Sequence, residues 1–153
     1  MSKISIELTN QDIVLQLQGI AAQFDDLSAP MAEIAELFQS ETEDALADER
    51  SPVDNSPWPA LSENYLKANP KRRGGQMLQA SAGGLAASIE ADSGDFWAMI
   101  GSNKPYAAIH NFGGLPEFAP GPAAIPQREY LGISKNDESE VLDILENHFS
   151  QAL

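Results

Sequence analysis

Asn103-Lys104-Pro105-Tyr106-Ala107-Ala108-Ile109-His110-Asn111-Phe112-Gly113-Gly114 opens the stretch on which the reading of this chain turns. After a passage rich in Pro, Gly and Ala it resumes as Ile125-Pro126-Gln127-Arg128-Glu129-Tyr130-Leu131. Two of the three tyrosines, one of the two histidines and five of the ten prolines fall between residues 103 and 131. An aromatic, a histidine and a glycine turn side by side invite the reading of an active site. The local chemistry supports a plainer one. Pro105 suits the first turn of a helix, where a missing N–H costs nothing. Residues 106–111 are therefore expected to form a short helix, stopped by Gly113-Gly114. Residues 115–124 hold three prolines and Gly121 and are expected to make an irregular excursion. Residues 125–131 are expected to be extended, a candidate strand.

Working upstream, Leu85, Ala87, Ile89 and Ala91 alternate with small or polar residues, as on one face of a strand over residues 85–92. Ser93-Gly94-Asp95 reads as a turn. Phe96, Ala98 and Ile100 then alternate against Trp97 and Met99, completing a hairpin. Gln76 to Ala82 reads as a helical turn. Ser62 is placed to cap a short helix to Ala68, ended by Asn69-Pro70, and Lys71-Arg72-Arg73 comes next in a basic, glycine-ended loop. Pro52, Pro57 and Pro59 make residues 50–59 a loop, with Trp58 between two prolines as a plug for a core or an interface. Before it, Met31, Ile34, Ala35, Phe38, Thr42 and Ala45 form the inner stripe of a helix begun by Ser28 and Pro30. Its acids face water. Ile13, Leu17, Ile20, Ala21 and Phe24 mark another helix, and Ile4, Ile6 and Leu8 a short edge strand. Downstream, Ser134 with Asp137 resembles a capping box with Asp in place of Glu. Val141, Leu142, Leu145, Phe149 and Leu153 then lie on one stripe of a final helix.

The chain of 153 residues is the size of one domain, and nothing in it marks an internal boundary. With 42% hydrophobic and 21% charged residues it has a globular composition. It contains no cysteine, so neither disulfides nor thiolate metal sites enter the argument. No run has the length of a signal peptide or a membrane span, and the expectation is a protein that stays in the cytoplasm where it is made. The formal net charge is −14, from 23 acidic and 9 basic residues. Residues 1–49 carry eleven acids against Lys3, and residues 135–153 carry five against Lys135. Such a surface repels phosphate, which argues against specific nucleic-acid binding.

No catalytic grouping stands out. A nucleophilic mechanism needs a nucleophile, a base and an orienting group together, and the only histidines are His110 and His148. His148 sits in the last turn of an acidic helix, where a cation complements the dipole. His110 is better placed for a packing hydrogen bond. There is no nucleophile elbow, metal-ligand spacing or glycine-rich phosphate loop. The carboxylates Glu33, Glu36, Glu41, Glu43 and Asp44 are read as a solvated helix face, not as a metal cluster. No cofactor is expected.

Four motifs, in order, instead resemble the phage virion morphogenesis family, the Mu-like tail completion proteins. They are Pro57-Trp58-Pro59-Ala60-Leu61-Ser62 ahead of a short helix with basic residues, and Met77-Leu78-Gln79-Ala80-Ser81 with Gly84-Leu85 and Ser88-Ile89. The other two are Gly101 with Tyr106-Ala107-Ala108-Ile109-His110-Asn111-Phe112-Gly113-Gly114, and Ile125-Pro126-Gln127-Arg128-Glu129-Tyr130-Leu131-Gly132-Ile133-Ser134. The similarity runs from about residue 31 to the end of the chain. Asn111 departs from it, standing where Gln is usual. So do the additional Ala82 and Gly83, and Ser56-Pro57 in place of a glycine before Trp58.

The resemblance implies a non-enzymatic protein of tail completion or head–tail joining, working as a homo-oligomeric ring. Its implied partners are tail tube or terminator proteins and neck or head-connector proteins, first in the host cytoplasm and then in the virion, with no membrane. It also implies a buried corner made by Tyr106, His110 and Phe112, with residues 125–131 returning as a strand beside the hairpin. Trp58, Lys71, Arg72, Arg73, Tyr106, His110, Phe112, Arg128 and Tyr130 are the candidate structural or interaction residues. The expected architecture is a single α+β domain. It has an antiparallel sheet of three to five strands against two N-terminal helices and one C-terminal helix. The rival readings are a small virion hydrolase using His110 and an acidic DNA mimic. In a ring, acids lining a lumen would keep passing DNA from adhering.

Overall fold

One helix is the spine. The computed structural model describes residues 24–114 and 125–151, with residues 15, 18, 19, 21 and 22 before them. Those five residues, Phe24 and Asp25 are helical, while Ile13, Leu17 and Ile20 of the expected helix lie outside the described residues. The expected strand at residues 3–8 and the excursion at 115–124 lie outside the described residues. After a break at Asp26-Leu27 comes α1, Ser28–Asp48. Ile34, Ala35, Thr42, Ala45 and Leu46 recur at helical spacing and are buried, while Glu33, Glu36, Glu43 and Asp44 stay exposed. Of the stripe expected from the sequence, Ile34, Ala35, Thr42 and Ala45 are buried and Met31 and Phe38 half-buried, while Leu46 joins it unforeseen.

The end of α1 dictates the shape of residues 76–82. No basic residue stands in its last turn, and the closing carbonyls need other donors. The Gln79 side-chain amide donates to the Leu46 carbonyl at 2.9 Å, and that of Gln76 to Ala47 at 3.4 Å. Glu49 turns left-handed with φ 56°, and its carboxylate accepts the Met77 N–H at 2.5 Å. Residues 76–82 are thus occupied in capping α1. They form irregular turns, with Leu78 at φ 59°, and not the helical turn expected.

β1 (Ile89–Gly94) and β2 (Trp97–Ser102) form an antiparallel hairpin, with Ala91 opposite Ile100 and Gly94 opposite Trp97. The two-residue turn is Asp95-Phe96, so Gly94 belongs to the strand and not to the turn. β1 also starts later than the alternation suggests. Leu85 is buried, and Ala86–Ser88 make a 3₁₀ turn on which the Ser88 hydroxyl bonds the Leu85 carbonyl at 2.7 Å. Ala91, Ala98 and Ile100 point inward, whereas Trp97 and Met99 are exposed. The hairpin lies on α1.

Among the described residues the sheet has two strands, against the three to five expected. Residues 125–131 carry no regular secondary structure and join no sheet. Instead they run alongside α3, Ala107–Phe112. The reason lies in their hydrogen bonds, which go to a helix end and a loop.

The last helix, α4, is Lys135–Ser150. Ser134 Oγ accepts the Asp137 N–H at 3.1 Å and the Asp137 carboxylate accepts the Ser134 N–H at 2.6 Å, a full capping box. α4 packs on α1, and its Phe149 stacks on Phe24 with ring centres 4.3 Å apart. The short α2, Glu63–Ala68, is capped by Ser62. Ala45, Leu46, Trp58, Met77, Leu85, Ala107 and Tyr130 make the core. The overall class, a small α+β fold with helices and an antiparallel pair, is as expected.

Candidate functional site

Residues 128–131 tie three distant pieces of chain together. The Arg128 N–H donates to the His110 carbonyl at 2.8 Å. Its guanidinium donates to the carbonyls of Pro59 at 2.9 Å and Ala60 at 3.0 Å. The Trp58 indole N–H donates to the Glu129 carbonyl at 2.8 Å, and the Ser51 hydroxyl to the Glu129 carboxylate at 2.7 Å. Tyr130 is fully buried, and its hydroxyl donates to the Ala107 carbonyl at 2.9 Å. Burial pushes that phenol up to about 12.

Asn111 completes the tie. It is buried, and its side-chain oxygen accepts the N–H groups of both Tyr130 and Leu131, at 3.0 and 2.9 Å. Its amide nitrogen donates to the Leu131 carbonyl at 3.3 Å. One side chain thus does for residues 130–131 what a neighbouring strand would do.

Beside the tie, the described residues enclose a groove of about 440 Å³. Leu61, Tyr65, Leu78, Tyr106 and Ile125 supply apolar wall. Arg72, His110 and Arg128 supply the polar groups. His110 sits edge-on to Tyr106, ring centres 6.0 Å apart, and its Nδ1 is buried without a hydrogen bond. Burial, and then the Arg128 charge, hold its imidazole below the usual value. Arg72 lies in the 3₁₀ turn Pro70–Arg72 and donates to the Gln76 carbonyl at 2.6 Å.

Four of the candidate residues therefore meet: Arg72, Tyr106, His110 and Arg128. Trp58 and Tyr130 belong to the core beneath. Lys71 and Arg73 are exposed, and Arg73 pairs with Glu63 at 3.2 Å. The expected buried Tyr106–His110–Phe112 corner is not there, because Tyr106 is 42% and Phe112 72% exposed. The buried face of α3 is Ala107 and Asn111, one turn apart, and that i, i+4 spacing is the sequence signal for Asn111. Nothing in the sequence marks Leu78, whose place depends on its left-handed backbone.

The His110 Nδ1 meets no carboxylate, and the Ser62 hydroxyl at the same groove is engaged by the Tyr65 N–H at 3.2 Å. Among the described residues, no three His, Asp or Glu side chains converge on a metal position. No helix among them is long and apolar enough to cross a membrane.

An interlocked tie beside an open groove marks out a small α+β protein. Its sequence matches the phage virion morphogenesis family over residues 8–150, and the chain belongs to that family. It is 38% identical over 144 residues to the putative capsid assembly protein G of Escherichia phage Mu, covering 92% of this chain and 90% of that one. It is 31% identical over 120 residues to the Mu-like prophage FluMu G protein 1 of Haemophilus influenzae, covering 77% and 76%. FluMu G protein 2 of the same bacterium shares 38% identity over 65 residues, 42% of this chain and 46% of that one. No solved structure matches it significantly.

Proposed function

We propose that this protein acts in tail completion or head–tail joining, without catalysis, through protein–protein contacts made by a ring of identical copies. Tail tube or terminator proteins would meet it on one side and neck or head-connector proteins on the other. It would assemble in the host cytoplasm and pass into the virion. The observation that carries this reading is family membership across nearly the whole chain. Two surfaces support it. The outer face of the hairpin leaves Trp97 and Met99 exposed, with Phe96 exposed at its turn, and the groove beside His110 is open; contiguous apolar surface of this kind is where partners dock.

The test is imaging of particles made without the protein, with native mass measurement of the purified chain across concentration. Headless tails beside intact tail-less heads, and a closed oligomer, are the expected results. Complete infectious particles would sink the proposal. The phage Mu relative is called a putative capsid assembly protein, which favours a second reading, action on the head. Malformed capsids in the same experiment would select it.

A further inference from the structure

The groove beside His110 has a charge character unlike that of the rest of the chain. The protein carries 23 acids, yet no acidic residue is among those described as lining this groove. Two arginines and a histidine are. Arg128 is only 5% exposed. Its donors reach backbone carbonyls alone, which satisfy N–H groups without neutralising the charge. Among the described residues the one ion pair is Arg73 with Glu63, so neither Arg128 nor Arg72 has a carboxylate in contact there, and Arg128 feels only the more distant charge of Glu49. A buried guanidinium with no carboxylate in contact is costly to maintain. Arg72 Nε and His110 Nδ1 are moreover buried without any hydrogen bond. Unmet polar groups converge here on an apolar cavity whose volume is in the range of ligand pockets.

We infer that this groove receives a partner's peptide segment in which an apolar side chain stands next to a carboxylate. The carboxylate would meet Arg72 and Arg128, and the apolar side chain would lie among Leu61, Leu78 and Tyr106. Charge complementarity selects the occupant: a carboxylate in the groove supplies a counter-charge in direct contact, through charge-assisted hydrogen bonds. That the ligand is a peptide rests on the assembly role proposed above. The anionic, apolar character of the ligand rests on geometry alone.

The test uses the full chain and dansylated peptides. Gly-Leu-Phe-Glu-Leu-Gly is expected to bind saturably by fluorescence anisotropy and to move the His110 ring signals in NMR spectra. The peptide with Gln for Glu is expected to bind about tenfold more weakly. Gly-Gly-Gly-Glu-Gly-Gly should not bind. Arg72→Gln, checked by circular dichroism, should remove the preference for Glu over Gln. Arg72 is the residue to vary, because Arg128 also holds the loop at Pro59 and Ala60. Equal binding of the Glu and Gln peptides, an unaffected Arg72→Gln variant, equal binding of the glycine peptide, or no binding at millimolar concentration would each overturn the inference. Particles lacking the protein report separately on the assembly role. A defect there with no peptide binding would leave the function standing and remove only the groove's ligand.

Discussion

Asn111 shows how much one side chain can carry. Its carboxamide satisfies two consecutive N–H groups and a carbonyl on residues 130–131. Replacing it with Ala leaves those groups buried and unpaired, and about 2–4 kcal/mol of unfolding free energy should be lost in urea titrations. Phe112→Ala, one position along on an exposed ring, should change it by less than about 0.5 kcal/mol. Equal losses would mean that the tie is not what holds this corner. His110 makes a different prediction. Its folded value is lowered, by burial and then by Arg128, so the unfolded chain binds the proton more readily. The cost is absent well above the usual histidine value, near 6.5, and grows as pH falls through that value toward the folded one. The melting temperature of the wild type should therefore fall more between pH 7.5 and 5.5 than that of His110→Gln. Parallel curves would count against a buried neutral imidazole.

At the scale of elements, legibility depends on the source of the order. The helices α1 and α4 are readable because their periodicity is local, although Leu142, expected on the inner stripe of α4, is 60% exposed and Leu153 lies outside the described residues. Ser134 and Asp137 form the reciprocal cap that their spacing suggests, and Ser134→Ala should cost about 1 kcal/mol by thermal unfolding. Residues 76–82 defeat a local reading because their conformation answers the carbonyls at the end of α1, which are far away in sequence. Residues 125–131 have the composition of a strand, but their donors and acceptors find Asn111, His110 and Trp58 first. Alternation puts Leu85 in β1, whereas its burial comes from a 3₁₀ turn that brings it to the core. Of the candidate site, the sequence points to Arg72, Tyr106, His110 and Arg128 but not to the groove that joins them. Which aromatic faces water depends on the whole packing: Phe112 and Tyr106 have the look of core residues, and Asn111 is the buried one.

The whole molecule carries a net charge of −14, and the repulsion has a definite location. Where α1 meets the start of α4, Glu41, Asp44, Asp137 and Glu140 share one groove. Burial, then Asp137, Asp44 and Glu140, hold the Glu41 carboxyl above its usual value. The folded chain thus holds this proton more tightly than the unfolded one. The cost is fully present at neutral pH and is relieved as pH falls through the raised value. Glu41→Gln should raise the melting temperature by roughly 1–2 °C after allowance for solvent screening. Added salt should raise that of the wild type more than that of the variant. A wild-type melting temperature that is flat or falling with salt would show that the acids are already well separated.

The tie at residues 128–131 finally bears on whether the polypeptide must be continuous. The Gly114 N–H donates to the Ile125 carbonyl at 2.8 Å, so residues 114 and 125 are held side by side. The C-terminal portion, from Arg128 through α4, is fastened by Trp58, Asn111, Ala107 and the side of α1, not by the covalent link. A protease cut between residues 114 and 125 should accordingly leave two fragments that migrate together on a native gel and separate only in denaturant. Co-expressed as separate halves, 1–114 and 115–153 should find each other and rebuild the fold.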